Sequence, residues 1–204
     1  MQFTIVSGSH RQPSQSRKVA DHIERVLKQQ VAGAEVGIID LANNPFPLWD
    51  EGVWRGEARW QTLLEEPSRQ LAASDGVVVI APEWHGQVPA GLKNFFLLFG
   101  AKELGHKPGL IVTVSASEGG TYPVAELRMS SAKNNRLCYI PEHLIIRQVE
   151  SVLNDDAAQN DAERDGYLRG RIAWTLELFA EYARALQAVR TSGKGYSPDY
   201  PFGM

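Results

Sequence analysis

The sequence has little of three things that often reveal a protein's partners: cysteine, long apolar runs and surplus positive charge. Cys138 is the only cysteine among 204 residues, so a disulfide within the chain and a zinc site built from several thiolates are excluded. No stretch approaches the roughly 20 consecutive apolar residues that a membrane-spanning helix needs. The net charge of −3 provides no concentrated basic face for nucleic acid or an anionic membrane. These absences favour a small-molecule partner.

Cysteine usage and the start of the chain bear on location. A single cysteine is typical of proteins kept in a reducing compartment. The chain opens directly on a strand-like run, without a charged segment followed by a long apolar core. We therefore expect an unexported, cytoplasmic protein.

Short apolar runs alternate with helical patterns, which favours a parallel sheet with helices on both faces. Five runs, mostly rich in Val and Ile, predict strands at 2–8, 35–41, 76–82, 109–115 and 143–149. Helical spacing predicts helices at 16–31, 58–74, 89–105 and about 161–190. With 43% hydrophobic residues and no linker or repeat, we expect one domain over 1–204 that ends in a tail at 191–204.

Three of the predicted helices carry apolar residues at helical spacing. On the first these are Val19, Ile23, Val26 and Leu27, and on the second Trp60, Leu63, Leu64 and Leu71. On the last, residues spaced by four are Trp174, Leu178, Tyr182 and Leu186. A kink or break is expected at Pro67, because proline removes a helical hydrogen bond.

The remaining helix, at 89–105, is apolar on nearly every side. Its centre reads Phe95, Phe96, Leu97, Leu98 and Phe99. We expect more than the sheet to cover it, and a partner subunit is one way to do so. The tail adds the unpartnered residues Tyr196, Tyr200, Pro201 and Phe202. Both features predict a homodimer or a homotetramer.

Five strands with right-handed crossovers suit either a flavodoxin-like order or half of a dinucleotide-binding sheet. Both place a ligand at the carboxyl ends of the strands. In the order 2-1-3-4-5, strands one, three and four are neighbours, so the loops that follow them converge. These loops read "SGSHRQPSQSR", "APEWHGQVPAGLKN" and "SASEGGTY".

The first loop has the composition of a phosphate-binding segment. Small and hydroxylic residues lead into a helix N-terminus, where free N–H groups and the helix dipole favour an anion. Ser9, Ser14 and Ser16 can add hydroxyl donors, and Arg11 can add a charge-assisted contact. The dinucleotide fingerprint and the nucleotide triphosphate ending are both absent. A simpler alternative is that Ser14 or Ser16 only caps the helix.

The second loop places two ring-bearing residues, Trp84 and His85, at the rim of the sheet. An aromatic pair beside a phosphate site suits a flat heterocycle. The alternatives are that Trp84 packs beneath the loop and that His85 is a surface turn residue.

Taken in order and spacing, the three loops resemble the NADPH-dependent FMN reductases of flavodoxin-like fold, a group that includes quinone, chromate and azo-dye reductases. The resemblance covers roughly residues 1–150. The first family motif reads G-S-x-R-x-x-S-x-N, and Ser16 stands here in place of asparagine. The second reads P-E-Y-N-x-x-x-P-G-x-L-K-N, with Trp84 for tyrosine, His85 for asparagine, and Ala90 before Gly91.

The resemblance implies a three-layer flavodoxin-like sandwich with the sheet order 2-1-3-4-5, and it implies three sets of FMN contacts. The FMN phosphate would be held by Ser9, Arg11, Ser14, Gln15 and Ser16. The isoalloxazine would be lined by Pro82, Glu83, Trp84 and His85. Its other side would be closed by Ser115, Ser117, Gly119 and Gly120.

The activity that the resemblance implies is two-electron transfer from NADPH or NADH through FMN to a quinone or a similar small electrophile, such as an azo dye, chromate or free flavin. The cofactor carries the hydride chemistry, so no catalytic side chain and no metal site are expected. The alternatives are a non-catalytic electron carrier of the flavodoxin type and a flavin-binding interaction module. Arg11 and the modest charge favour the enzyme.

Overall fold

The computed structural model describes residues 1–202, so the last two residues of the predicted tail lie outside the described residues. The chain forms a five-stranded parallel sheet in the order β2-β1-β3-β4-β5, which confirms the flavodoxin-like order. The strands are β1 (Gln2–Ser7), β2 (Glu35–Asp40), β3 (Gly76–Pro82), β4 (Pro108–Val114) and β5 (Cys138–Ile146). The first four match the predicted strands within one or two residues.

The helices connect the strands on both faces. They are α1 (Gln15–Gln30), α2 (Gly52–Arg55), α3 (Ala58–Ala73), α4 (Ala90–Leu98), α5 (Ala101–Leu104), α6 (Thr121–Ser130) and α7 (Ala162–Thr191). Alternating side chains of the buried strands point to opposite faces, so Val78 and Ile80 pack in the layer with α1 and α7. Val77 and Val79 pack in the layer with α3, α4 and α6. Helices on both faces confirm the predicted three layers.

The fifth strand and the second long helix differ from the prediction. Strand β5 begins at Cys138, five residues before the predicted start, and contains Pro141. Among the strands of residues 1–202 it pairs with β4 alone, and an edge position tolerates a residue without an N–H group. Helix α3 runs through Pro67, so the expected break is wrong. Proline leaves only the carbonyl of Leu63 without its helical donor, and Leu63 is exposed enough for water to reach it.

The apolar third connection forms two helices instead of one, with Gly100 between α4 and α5. Its core residues Phe95, Leu98 and Phe99 are buried within the chain, whereas Leu97 is 63% exposed. The segment after β2 supplies much of this cover. Phe46 packs on Phe99 at 5.7 Å between ring centroids. The apolar character of α4 thus has an explanation inside one chain.

Helix α7 buries a different stripe from the one whose spacing the sequence suggested. Its fully buried side chains include Ile172, Leu176 and Phe179, whereas Trp174 is 46% exposed. Beyond α7 the tail lies against the opposite end of the sheet from the strand-end loops. There the guanidinium of Arg136 donates to the carbonyls of Gly195 and Tyr200 at 2.7 and 2.9 Å.

Candidate functional site

A cavity of about 450 Å³ lies at the carboxyl ends of the strands, where the loops after β1, β3 and β4 converge. Eight of the predicted site residues line it: Ser9, Arg11, Ser14, Gln15, Ser16, Pro82, Glu83 and Trp84. Six further residues complete the lining: Pro13, Lys18, Val114, Ala116, Val149 and Glu150. The sheet order explains the convergence, because β1, β3 and β4 are adjacent and parallel.

The start of α1 forms the polar wall of this cavity. Ser14 is the N-cap, and its Oγ accepts a hydrogen bond from the N–H of Arg17 at 3.1 Å. Capping therefore explains Ser14 but not Ser16. The Ser16 side chain is 1% exposed, and its Oγ has no partner among residues 1–202, as is also true of Gln15 Oε1. The N–H groups of Gln15 and Ser16 have no intrahelical acceptor either, so this wall offers unfilled hydrogen-bonding groups.

The loop before α1 is held close to β3. The N–H of Gly8 donates to the carbonyl of Ile80 at 2.8 Å. A Cβ at position 8 would lie 2.7 Å from the Leu92 side chain, so only glycine allows this approach. The Oγ of Ser9 accepts a hydrogen bond from the N–H of Arg11 at 3.2 Å, which shapes the loop. The Arg11 side chain is exposed and makes no hydrogen bond or ion pair within the described part of the chain. It is free to meet an anion.

The loop after β3 begins with a tight turn. Trp84 and Gln87 exchange backbone hydrogen bonds of 3.2 and 2.9 Å, and the two residues between them both have positive φ. His85 has φ of 51° and Gly86 has φ of 71°, the pattern of a two-residue hairpin turn. Trp84 is half-buried and faces the cavity, whereas His85 is exposed at the tip of the turn and is not part of the cavity lining.

The loop after β4 lies beside the cavity and is tied to it through Glu83. The N–H of Gly120 donates to Glu83 Oε2 at 2.6 Å, and the carbonyl of Gly119 accepts a hydrogen bond from Arg147 Nε at 3.1 Å. These two groups belong to the same peptide bond, so a carboxylate and a guanidinium hold it at both ends. Gly120 has φ of 107°, and a Cβ at Gly119 would lie 2.8 Å from Glu83 Oε1.

Two of the residues that the resemblance assigns to FMN, Glu83 and Ser115, also shape the loop after β4. Glu83 uses one carboxylate oxygen to position the neighbouring loop. Ser115 Oγ likewise accepts a hydrogen bond from the N–H of Ser117 at 3.1 Å. The cavity lining contains Ala116 from this loop, and Ser115, Ser117, Gly119 and Gly120 lie just outside it.

Lys18 was missed by the sequence analysis. Its Nζ donates to the carbonyls of Val149 and Val152 at 2.6 and 2.9 Å and to Asn154 Oδ1 at 2.8 Å. Burial lowers the pKa of this ammonium, and the nearby carboxylate of Glu150 opposes the shift. Lys18 thereby joins α1 to the segment after β5 and brings Val149 and Glu150 into the cavity wall. Its place one turn after Ser14 was a usable signal, whereas the segment after β5 carried none.

The donor set fits a phosphate monoester attached to a flat heterocycle. Unfilled groups at the start of α1 and the free Arg11 suit the phosphate, and Trp84 on the wall suits the ring. The volume lies in the range of small-molecule sites. Within residues 1–202, no three His, Cys, Asp or Glu side chains are grouped as metal ligands. None of the described helices has the length and apolar character needed to cross a bilayer.

Fold and site together define a flavodoxin-like protein whose strand-end cavity carries unfilled hydrogen-bonding groups. Comparison with known proteins is more specific: the model of the NADPH-dependent FMN reductase family matches residues 1–151. The chain belongs to this family.

Several relatives carry an activity in their names. A quinone reductase of Pseudomonas putida is 29% identical over 168 residues, which is 78% of this chain and 85% of the relative. An NADPH azoreductase of Bacillus sp. is 27% identical over 65% of this chain and 69% of the relative. An FMN-dependent NADH:quinone oxidoreductase of Shewanella loihica is 35% identical over 40% of this chain, and the chain spans only 46% of that relative.

Solved structures support the fold. A flavoenzyme NAD(P)H:(acceptor) oxidoreductase of Paracoccus denitrificans superimposes with a TM-score of 0.66 at 17% identity, over 89% of this chain and 98% of that one.

Proposed function

We propose that this protein binds FMN in the strand-end cavity and uses NADPH or NADH to reduce a quinone or a similar small electrophile, such as an azo dye, chromate or free flavin. The observation that carries the proposal is the buried, unpartnered hydroxyl of Ser16 at the start of α1, on the same cavity as the free Arg11 and as Trp84. The family membership and the relatives' names support the same activity.

The residues divide by the part of FMN that they would hold. The phosphate would take the wall formed by Ser9, Arg11, Ser14, Gln15 and Ser16, and the ring would lie toward Pro82, Glu83, Trp84 and His85. The loop through Ser115, Ser117, Gly119 and Gly120 would flank the ring from the other side. Bound FMN supplies the two-electron chemistry, accepting a hydride from a nicotinamide and passing electrons onward. The chain binds and orients, and no side chain is assigned a proton transfer.

The rival proposal is a non-catalytic electron carrier that uses the same fold. Arg11 argues against it, because an arginine at this position belongs to this family's first motif and not to the threonine- and glycine-rich flavodoxin loop. The net charge of −3 is also modest for a carrier that docks through an acidic surface.

We extend the proposal to one FMN-binding unit over 1–204 that works in the cytoplasm as a homodimer or homotetramer. Exposed apolar side chains on one side of the sheet support an interface there. Leu48 is 75%, Trp54 79% and Leu97 63% exposed.

The test is a titration followed by turnover. The purified protein is titrated with FMN and with riboflavin, and the FMN-loaded protein is then mixed with NADPH or NADH and a quinone. We expect tighter binding of FMN than of riboflavin, and steady nicotinamide oxidation that depends on the quinone. Equal affinity for both flavins would contradict the phosphate site. Binding without turnover by either nucleotide would favour the electron carrier.

A further inference from the structure

His10 stands at the meeting point of three segments. It lies between Ser9 and Arg11 in the phosphate-side loop, and its ring reaches the start of α4. There the N–H of Gly91 donates to His10 Nε2 at 2.8 Å. The ring of Trp84 approaches the same imidazole edge-on, at 5.4 Å between centroids and 86° between planes. One side chain therefore contacts both α4 and the aromatic residue of the cavity wall.

The lack of a side chain at Gly91 makes room for this contact. A Cβ at position 91 would overlap His10 Nε2 and would lie 2.9 Å from Cδ2 of the same ring. Gly91 has no positive φ that would explain a glycine there. The imidazole thus accounts for the glycine at 91, which the family motif places one residue earlier, at the position of Ala90. His10 and Gly91 form a matched pair in this chain.

The contact requires a neutral imidazole. Nε2 accepts the hydrogen bond, so the proton of the neutral ring lies on Nδ1. An imidazolium has no free lone pair, and it would face the positive end of the α4 dipole. Burial lowers the pKa of His10, and no charged side chain contributes to the shift.

The groups around the ring agree with this. From α4 the ring meets the Gly91 amide, and from the loop after β3 it meets Trp84. The charged residues nearest along these segments are Arg11, exposed in the same loop, and Lys93 on α4, whose ammonium is paired with Glu126. The segment after β2 contacts the backbone of His10, where the N–H of Asn43 donates to the carbonyl at 3.1 Å.

We propose that His10 is a positioning residue whose neutral ring joins the phosphate-side loop to the N-terminus of α4 and to Trp84, so that FMN binds with full affinity only while this ring is unprotonated. The inference rests on the proposed FMN site. Protonation breaks the hydrogen bond between the Gly91 N–H and the His10 ring. The apparent affinity for FMN then falls with the fraction of molecules in which this bond is formed.

The first experiment measures the dissociation constant of FMN between pH 5 and 8 by flavin fluorescence, for the wild type and three variants. His10→Gln keeps a neutral acceptor that does not titrate, and His10→Phe keeps a ring without an acceptor. His106→Gln is the matched control, because His106 also contacts a backbone group but at the opposite end of the sheet. The FMN phosphate itself titrates near pH 6, equally for all four proteins.

We expect the wild type and His106→Gln to lose about fivefold more affinity than His10→Gln on going from pH 7.5 to pH 5. His10→Phe should bind more weakly than His10→Gln at every pH. The same pH profile for the wild type and His10→Gln would overturn the proposal, as would unchanged binding by His10→Phe.

The second experiment does not need FMN. Thermal unfolding of Gly91→Ala, His10→Ala and the double variant forms a mutant cycle. We expect Gly91→Ala to lower the melting temperature by about 3–5 °C in the wild type and to have little effect once the imidazole is gone. Additive effects of the two substitutions on the melting temperature would overturn the proposed coupling between His10 and Gly91. Failure of the wild type to bind FMN at any pH would overturn the proposed function and the effect on affinity. The mutant cycle would still decide whether His10 and Gly91 are coupled.

Discussion

We expect acidification to destabilise this protein through one buried side chain, His22 on α1. The side chain is 5% exposed, and neither ring nitrogen has a hydrogen-bond partner in the part of the chain that the structure describes. Burial, aided by repulsion from Arg169 and Arg25, lowers the pKa of His22 from 6.5 to about 4. Asp165 and Asp155 oppose the shift only in part.

The direction in which stability changes with pH depends on whether the folded or the unfolded state takes up the proton first. The pKa of His22 in the folded protein lies below its unfolded value, so the unfolded chain is protonated first as the pH falls. The contribution to stability is complete above pH 6.5 and is lost as the pH falls toward 4. At ~1.36 kcal/mol per pH unit, the full loss is about 3 kcal/mol of unfolding free energy.

The measurement is urea unfolding, followed by circular dichroism at pH 7.5, 6.5, 5.5 and 4.5 and at fixed ionic strength. His22→Leu removes the titration and two unpaired nitrogens. Its unfolding free energy relative to that of the wild type should therefore rise by about 2.5 kcal/mol between pH 7.5 and pH 4.5. His85→Leu, at an exposed turn, is the control and should run parallel to the wild type. A constant difference between His22→Leu and the wild type at all four pH values would refute the reasoning.

Four further predictions concern the site and the assembly. Arg11→Ala should weaken FMN binding by about 1.5–3 kcal/mol without affecting riboflavin or the turnover of the FMN-saturated protein; an equal loss for riboflavin would contradict a phosphate contact. Glu83→Ala should leave the N–H of Gly120 unpaired and cost about 1–3 kcal/mol of unfolding free energy, whereas Glu83→Gln should recover most of it; equal losses would argue against the hydrogen bond. His85→Asn should keep FMN and retain reduction by NADPH within about tenfold in stopped-flow measurements from pH 6 to 9; a loss of several hundredfold would make His85 a proton donor. Sedimentation at micromolar concentration should show a dimer or tetramer, and a monomer alone would refute the interface.

Local patterns predicted the architecture well where each element has a clear period. The Val- and Ile-rich strands β1, β3 and β4 were placed within one or two residues, because strands buried on both faces read as continuous apolar runs. The edge strand β5 was predicted too late in the chain, because Pro141 and its polar neighbours interrupt the apolar run. Gly100 divided a helix that apolar composition alone had made continuous.

The sequence by itself determined most of the strands and the three motif loops, since periodicity and turn residues act over a few positions of the chain, whereas the order 2-1-3-4-5 came from the resemblance to a known family. Only the tertiary structure decided which side chains complete the site. Lys18 bonds to a carbonyl 131 residues away, His10 to an amide 81 residues away, and Glu83 to an amide 37 residues away. The physical reason is that most buried polar atoms are hydrogen-bonded, and the position of the partner depends on how helices and loops pack around the sheet.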